Sequence, residues 1–231
     1  MTMVILSDIP TLFLFPAIIL VSYLTLRVFT PPNPTPTNST AKDRIFLYSP
    51  NFIVARQLFV LLLGAYHGYI VLTYPSPPKF CPRSKDLNPN LFTWSTTSSI
   101  CITLILIAAP IRLLAFKQLG PNFTFKLAQP KNLVTSGLYK YVQHPSYTTN
   151  ITVMIANSYL IWRRDGVLAC WLSESVLNSV WWKVVNVFFG GVAILAVRTR
   201  IVDEEEMMKE TFGKEWEVWH ARTKRFIPGV F

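Results

Sequence analysis

Long stretches without a charged side chain constrain this sequence more than any other feature. No Asp, Glu, Lys or Arg occurs between Asp8 and Arg27, between Arg56 and Lys79, between Asp86 and Arg112, or between Lys140 and Arg163. A fifth stretch, Val176–Val197, is broken only by Lys183. A membrane-spanning helix needs about 20 mostly apolar residues, and the first two intervals supply them outright. In the third, the apolar run Ile100–Phe116 requires Arg112 to face protein or water. The fourth is polar at its start, and Lys183 in the fifth can extend its aliphatic stem to the interface. Only 15% of the 231 residues are charged, below the roughly 25% of soluble domains. Mean hydropathy is +0.35, which excludes disorder for most of the chain. Five such segments are too many to be buried helices of a soluble domain this short. The expected fold is an all-α integral membrane protein of about five transmembrane helices. Residues 1–116 hold spans one to three, and residues 117–231 hold spans four and five with cytosolic C-terminal helices.

The net charge of +10 sets orientation rather than marking a nucleic-acid surface. With the C-terminus cytosolic, only Lys79, Arg83, Lys85, Arg163 and Arg164 fall on the opposite side, and most other basic residues lie in cytosolic segments. That bias follows the positive-inside rule. Asp8 stands where a signal peptide would be basic, so the first segment reads as a retained span. The Pro-rich stretch Pro31–Thr40 cannot be helical and serves as an extended connector. Cys81, Cys101 and Cys170 are too few and too scattered for a small disulfide scaffold. No zinc-ligand spacing is present, and no metal is expected.

Two polar segments stand out. Gly120–Tyr147 precedes span four and ends in His144-Pro145-Ser146-Tyr147. Pro145 suits the first position of a helix, whose start offers free N–H groups and a partial positive charge to an anion. The same spacing equally allows an ordinary Pro-initiated membrane helix with an aromatic belt. Arg198–Phe231 is the second. Read as a helix, it places Ile201, Glu204, Met208 and Phe212 on one face, so Glu204 sits on the inward, apolar stripe. A carboxylate there is costly unless paired or liganded. Arg200, one turn earlier, is its natural partner and also suits bidentate binding of a substrate carboxylate. Gly213 breaks this helix. Trp216 and Trp219 beyond it read as interfacial anchors. His67, alone in span two, reads as hydrogen-bonded packing, and Arg112 as either a snorkelling anchor or an inward charge.

Taken together, these segments resemble the isoprenylcysteine carboxyl methyltransferase family. The family pattern Leu-Val-Thr-x-Gly-x-Tyr followed by Arg-His-Pro-x-Tyr reads here LVTSGLY at Leu133–Tyr139 and QHPSY at Gln143–Tyr147. Its tail pattern reads here Arg200, Glu204–Glu205, Phe212–Gly213 and Ile227–Gly229, with Arg112, Leu119–Gly120 and Phe123–Thr124 upstream. The resemblance covers residues 112–231.

It implies a multi-span protein of the endoplasmic reticulum membrane. Such a protein transfers a methyl group from S-adenosylmethionine to the carboxylate of a prenylated C-terminal cysteine, on a protein or a small prenylcysteine. By resemblance, the cofactor is held by Gln129, Lys131, Asn132, Leu133, Val134, Tyr139, His144, Pro145, Ser146, Tyr147 and Glu204. Arg200 holds the substrate carboxylate as the catalytic residue. Gln143 stands where arginine is usual, which removes a charge beside the cofactor site. A methyltransferase acting on a small terpenoid acid or lipid is a second reading, and an NADPH-dependent sterol reductase-like protein a third.

Overall fold

The computed structural model describes residues 9–34, 50–75, 79–125 and 127–229. Its helices, in chain order, are α1 Ile9–Val28, α2 Pro50–Thr73, α3 Pro89–Phe92, α4 Thr96–Leu119, α5 Pro145–Leu160, α6 Glu174–Leu177, α7 Val180–Phe212 and α8 Lys214–Arg222. Short 3-10 turns join some of them. Among the described residues there is no strand, only an isolated parallel bridge between Val142 and Lys224. Pro31–Pro34 is non-helical, as its prolines require, and the rest of the connector lies outside the described residues.

Each of the five apolar segments forms a helix, but they differ in reach. Helices α2, α4 and α7 are long and apolar enough to cross a bilayer, while the described apolar part of α1 is the shorter Leu12–Val28. Helix α5 has 16 residues, about 24 Å at 1.5 Å per residue, and begins at a buried Pro145. The helix from the fourth apolar segment is thus shorter than its charge-free interval, because the polar stretch before Pro145 is loop.

The core lies where α4 packs along α5 and α1, with α2 against the other side of α1. Leu14, Ile18 and Val21 of α1 meet Ile105 and Ala109 of α4 and Val153 and Ala156 of α5 in one buried cluster. Alanines at the α4–α5 contact let the two backbones approach closely, as small residues do between membrane helices. Gly64 of α2 does the same against α1, since a Cβ there would sit 2.4 Å from Ser22 Oγ. Polar groups inside the bundle are cross-linked: Asn157 Nδ2 donates to Thr25 Oγ1 at 3.1 Å. His67 is fully buried, with Nε2 donating to the Leu91 carbonyl at 3.0 Å, which fits a packing role.

Helix α7 runs through what the sequence suggested as two units, the fifth span and the following cytosolic helix. Ser179 starts it, its side chain accepting from Trp182 N at 3.1 Å. Nothing interrupts it until Gly213, whose φ of +51° closes the helix at a conformation open mainly to glycine. Its 33 residues extend about 50 Å, against a hydrocarbon core of about 30 Å. The apolar part is therefore long enough to cross, and the charged part from Arg198 onward is length in excess of the core. The apolar part stands off the bundle, with Trp181 78% and Val187 76% exposed, a surface suited to lipid.

At the end of the bundle where α2 and α5 finish and α4 and α7 begin, Cys81 and Cys170 form a disulfide. Three scattered cysteines gave no hint of this pair, which is separated by 89 residues in sequence. Cys101 is buried and free.

Candidate active site

At the opposite end of the bundle, the C-terminus of α4, the loop Gly120–His144, the start of α5 and the extension of α7 with α8 enclose a cavity. Local sequence explains how each wall is held. Gly137 adopts φ +61°, and a Cβ there would lie 2.5 Å from Gln118 Nε2. That close approach lets Gln118 Oε1 accept from Leu138 N at 2.9 Å. Asn122 Oδ1 accepts from Lys131 N at 3.0 Å, and its Nδ2 donates to Asn132 Oδ1 at 3.0 Å. Asn33, in the connector after α1, donates to the carbonyls of Gly120 and Phe123 at 2.7 and 2.8 Å. The loop is therefore tied to both the bundle and the connector.

The polar floor is a chain of charged partners. Tyr147 OH donates to Glu204 Oε1 at 2.7 Å. Arg200 Nε donates to the same oxygen at 2.8 Å. The neighbouring Glu205 binds His144 Nε2 at 3.1 Å and accepts from Arg225 Nε and Nη2 at 2.9 and 2.8 Å. Arg112 is turned inward: its Nη1 donates to the carbonyl and the hydroxyl of Ser146, and its guanidinium lies 4.7 Å from the Phe116 ring centroid. Arg112 and Arg200 are both nearly inaccessible, so each charge needs those partners. Arg112, Arg200, Glu204 and Glu205 all lie on the cavity lining, so charges of both signs meet at this floor.

The remaining walls are aromatic and aliphatic, including Phe123, Phe125, Leu127, Trp216 and Trp219. Tyr139 is buried, and burial raises its phenol well above the usual range, so it stays neutral. Its carbonyl accepts from Trp219 Nε1 at 3.0 Å. Burial lowers the His220 pKa, and the imidazole stacks on Trp216 at 4.4 Å.

Of the residues singled out by sequence, Asn132, Val134, Tyr139, His144, Ser146, Tyr147, Arg200 and Glu204 line this cavity. Leu133 packs behind it against the Tyr139 cluster, and Pro145 is buried at the start of α5. Gln129 and Lys131 are exposed, outside the lining. Trp216 and Trp219 are not interfacial anchors: both are buried around Tyr139 and line the cavity. Their spacing in a short helix with an apolar face was the available signal. Glu205, which stood in the tail pattern without a role, and Arg225, which sequence did not single out, are further members of the network. The first was hidden inside an acidic run and the second lies in a non-helical tail.

Comparison with known families bears on this wall. Residues 101–179 match the isoprenylcysteine carboxyl methyltransferase (ICMT) family. The matched segment runs from α4 through the loop and α5 to the start of α7, and so supplies one half of the cavity. The other half, from Arg200 to Arg225, is joined to it by the Tyr147–Glu204 and His144–Glu205 contacts. Two curated proteins are similar to the chain. Protein-S-isoprenylcysteine O-methyltransferase of Schizosaccharomyces pombe is 27% identical over 143 residues, 59% of this chain and 52% of that protein. The protein of the same name from Dictyostelium discoideum is 27% identical over 150 residues, 62% and 53% of the two. The chain thus spans about half the length of the curated relatives it matches. No solved structure matches it significantly.

Proposed function

We propose that this protein transfers a methyl group from S-adenosylmethionine to the C-terminal carboxylate of a prenylated cysteine, on a protein or a small prenylcysteine, forming a methyl ester. The observation that carries the reading is the pairing of Arg200 with Glu204 and Tyr147 at the floor of a cavity whose other wall is the segment matching the ICMT family.

The donor set suits both ligands. The Glu204 carboxyl lines the cavity, and it matches the ammonium of the cofactor's amino acid portion. The start of α5 at Pro145–Tyr147 matches the cofactor's carboxylate, and Val134, Tyr139 and Trp216 offer surface for its base. Bound there, S-adenosylmethionine supplies an electrophilic methyl on a sulfonium.

Arg200 grips the substrate carboxylate, and Glu204 on its Nε fixes the plane of the guanidinium. A carboxylate is already ionised at neutral pH, so the protein supplies no base. Its task is to align one oxygen lone pair with the methyl and to hold it there, and such positioning is worth several kcal/mol. Phe123, Phe125 and Leu127 give the prenyl chain apolar contact and keep water from the carboxylate, leaving it a less solvated nucleophile.

We place the protein in the endoplasmic reticulum membrane as a multi-pass protein with its cavity and C-terminus cytosolic. The Cys81–Cys170 pair at the far end supports this, because disulfides persist in oxidising compartments and not in the cytosol. The positive-inside bias points the same way. Purified protein in detergent should transfer labelled methyl from S-adenosylmethionine to N-acetyl-S-farnesylcysteine. Tight NADPH binding without any transfer would overturn the reading.

A further inference from the structure

The side chain that departs from the family pattern, Gln143, is buried at the edge of the cavity, and its carboxamide is engaged by the C-terminal tail. Nε2 donates to the carbonyls of His220 and Thr223 at 3.1 and 3.0 Å and to Thr223 Oγ1 at 3.1 Å. Oε1 lies 2.9 Å from His220 Nδ1. An amide oxygen only accepts, so the His220 proton sits on Nδ1.

These partners have a specific meaning. Helix α8 ends at Arg222, and the last carbonyls of any helix lack partners within it. Thr223 itself satisfies Trp219 O, through its N–H at 3.1 Å and its hydroxyl at 2.7 Å. The His220 carbonyl and the flanking Thr223 carbonyl are satisfied by Gln143, from a segment 77 to 80 residues away in sequence.

The backbone continues the joint. Gln143 N donates to Lys224 O at 2.8 Å, and His144 N donates to Arg225 O at 2.9 Å. The tail therefore lies alongside His144. In this register Arg225 reaches Glu205, and Glu205 holds His144.

We propose that Gln143 is a positioning residue: it caps the C-terminus of α8 in trans and so locks Trp216, Trp219 and the Arg225–Glu205–His144 chain around the cavity. In this role the position needs a donor for two carbonyls, not a charge for the cofactor. Arginine meets the same need, since His220 can shift its proton to Nε2 and accept at Nδ1. The glutamine and arginine versions of the motif are then equivalent at this joint.

The test uses the full chain in detergent with Gln143→Leu, Gln143→Glu and Gln143→Arg. Trypsin cleavage after Lys224 and Arg225, followed by mass spectrometry, reads tail docking, and equilibrium binding of labelled S-adenosylmethionine reads the cavity. Gln143→Leu strands the buried Thr223 carbonyl and the half-buried His220 carbonyl, and Gln143→Glu sets a carboxylate against them. Each should speed tail cleavage roughly tenfold and weaken cofactor binding by a similar factor. Gln143→Arg should match the parent protein in both. If Gln143→Leu does not yield folded protein, the Gln143→Arg and Gln143→Glu pair decides.

Unchanged cleavage in Gln143→Glu would overturn the lock. So would a Gln143→Arg protein that binds the cofactor about tenfold tighter, since the position would then act through charge. The binding arm rests on the proposed function, whereas cleavage does not. A parent protein that binds no S-adenosylmethionine, yet shows the cleavage pattern, would refute the function and leave the lock standing.

Discussion

Glu204→Gln separates the roles proposed for the two central residues. The substitution keeps an oxygen acceptor for Tyr147 OH and Arg200 Nε, which lie 2.7 and 2.8 Å from Glu204 Oε1, so the local geometry survives. It removes the negative charge assigned to the cofactor's ammonium. A hydrogen bond to a charged group is worth about 1.5–3 kcal/mol, so the dissociation constant for S-adenosylmethionine should rise by about 10- to 150-fold. Arg200→Ala removes a side chain that is only 4% exposed and leaves Glu204 bound to Tyr147. Cofactor affinity should then fall by less than in Glu204→Gln, because the ammonium partner remains. The Michaelis constant for the prenylcysteine should rise sharply, or turnover should vanish, since no other group grips the carboxylate bidentately. Equilibrium binding of labelled cofactor, alongside steady-state kinetics in the substrate, measures both. The same loss of cofactor affinity in both variants would refute the division of roles.

Three further outcomes follow from the same geometry. Tyr147→Phe deletes one charge-assisted hydrogen bond to Glu204 and should lower kcat/KM by about tenfold; an unchanged value would remove Tyr147 from the network. Gly137→Ala forces a Cβ into Gln118 at positive φ, a conformation costing about 1–2 kcal/mol, and should lower the thermal midpoint in detergent by a few degrees. Thiol labelling of denatured, unreduced protein should modify Cys101 alone, with Cys81 and Cys170 reacting only after reduction. Labelling of all three without reductant would contradict the disulfide and the orientation built on it.

The membrane helices were legible because charge is excluded from lipid whatever the packing, and their positions followed from where Asp, Glu, Lys and Arg are missing. The inward placement of Glu204 was legible for a similar reason, since the period of a helix fixes which residues share a face. Features that depend on long-range approach were not. The Cys81–Cys170 pair needs two loops to meet, and Trp216 and Trp219 look identical on a helix at a membrane surface and on one folded over a cavity. The single helix α7 was hidden by its change from apolar to charged residues at Arg198. Composition shifts there but helical propensity does not, and only Gly213 ends it. Gln143 looked like a lost charge because sequence shows what a residue is and not which way it faces.

Methyl transfer itself is the most direct test of the account. Purified protein should move labelled methyl from S-adenosylmethionine to N-acetyl-S-farnesylcysteine, giving a base-labile ester, and should leave the pre-esterified compound unlabelled because its carboxylate is blocked. No base-labile product with any prenylcysteine, or equal labelling of the blocked compound, would contradict the assignment of Arg200 and the cavity to carboxyl methylation.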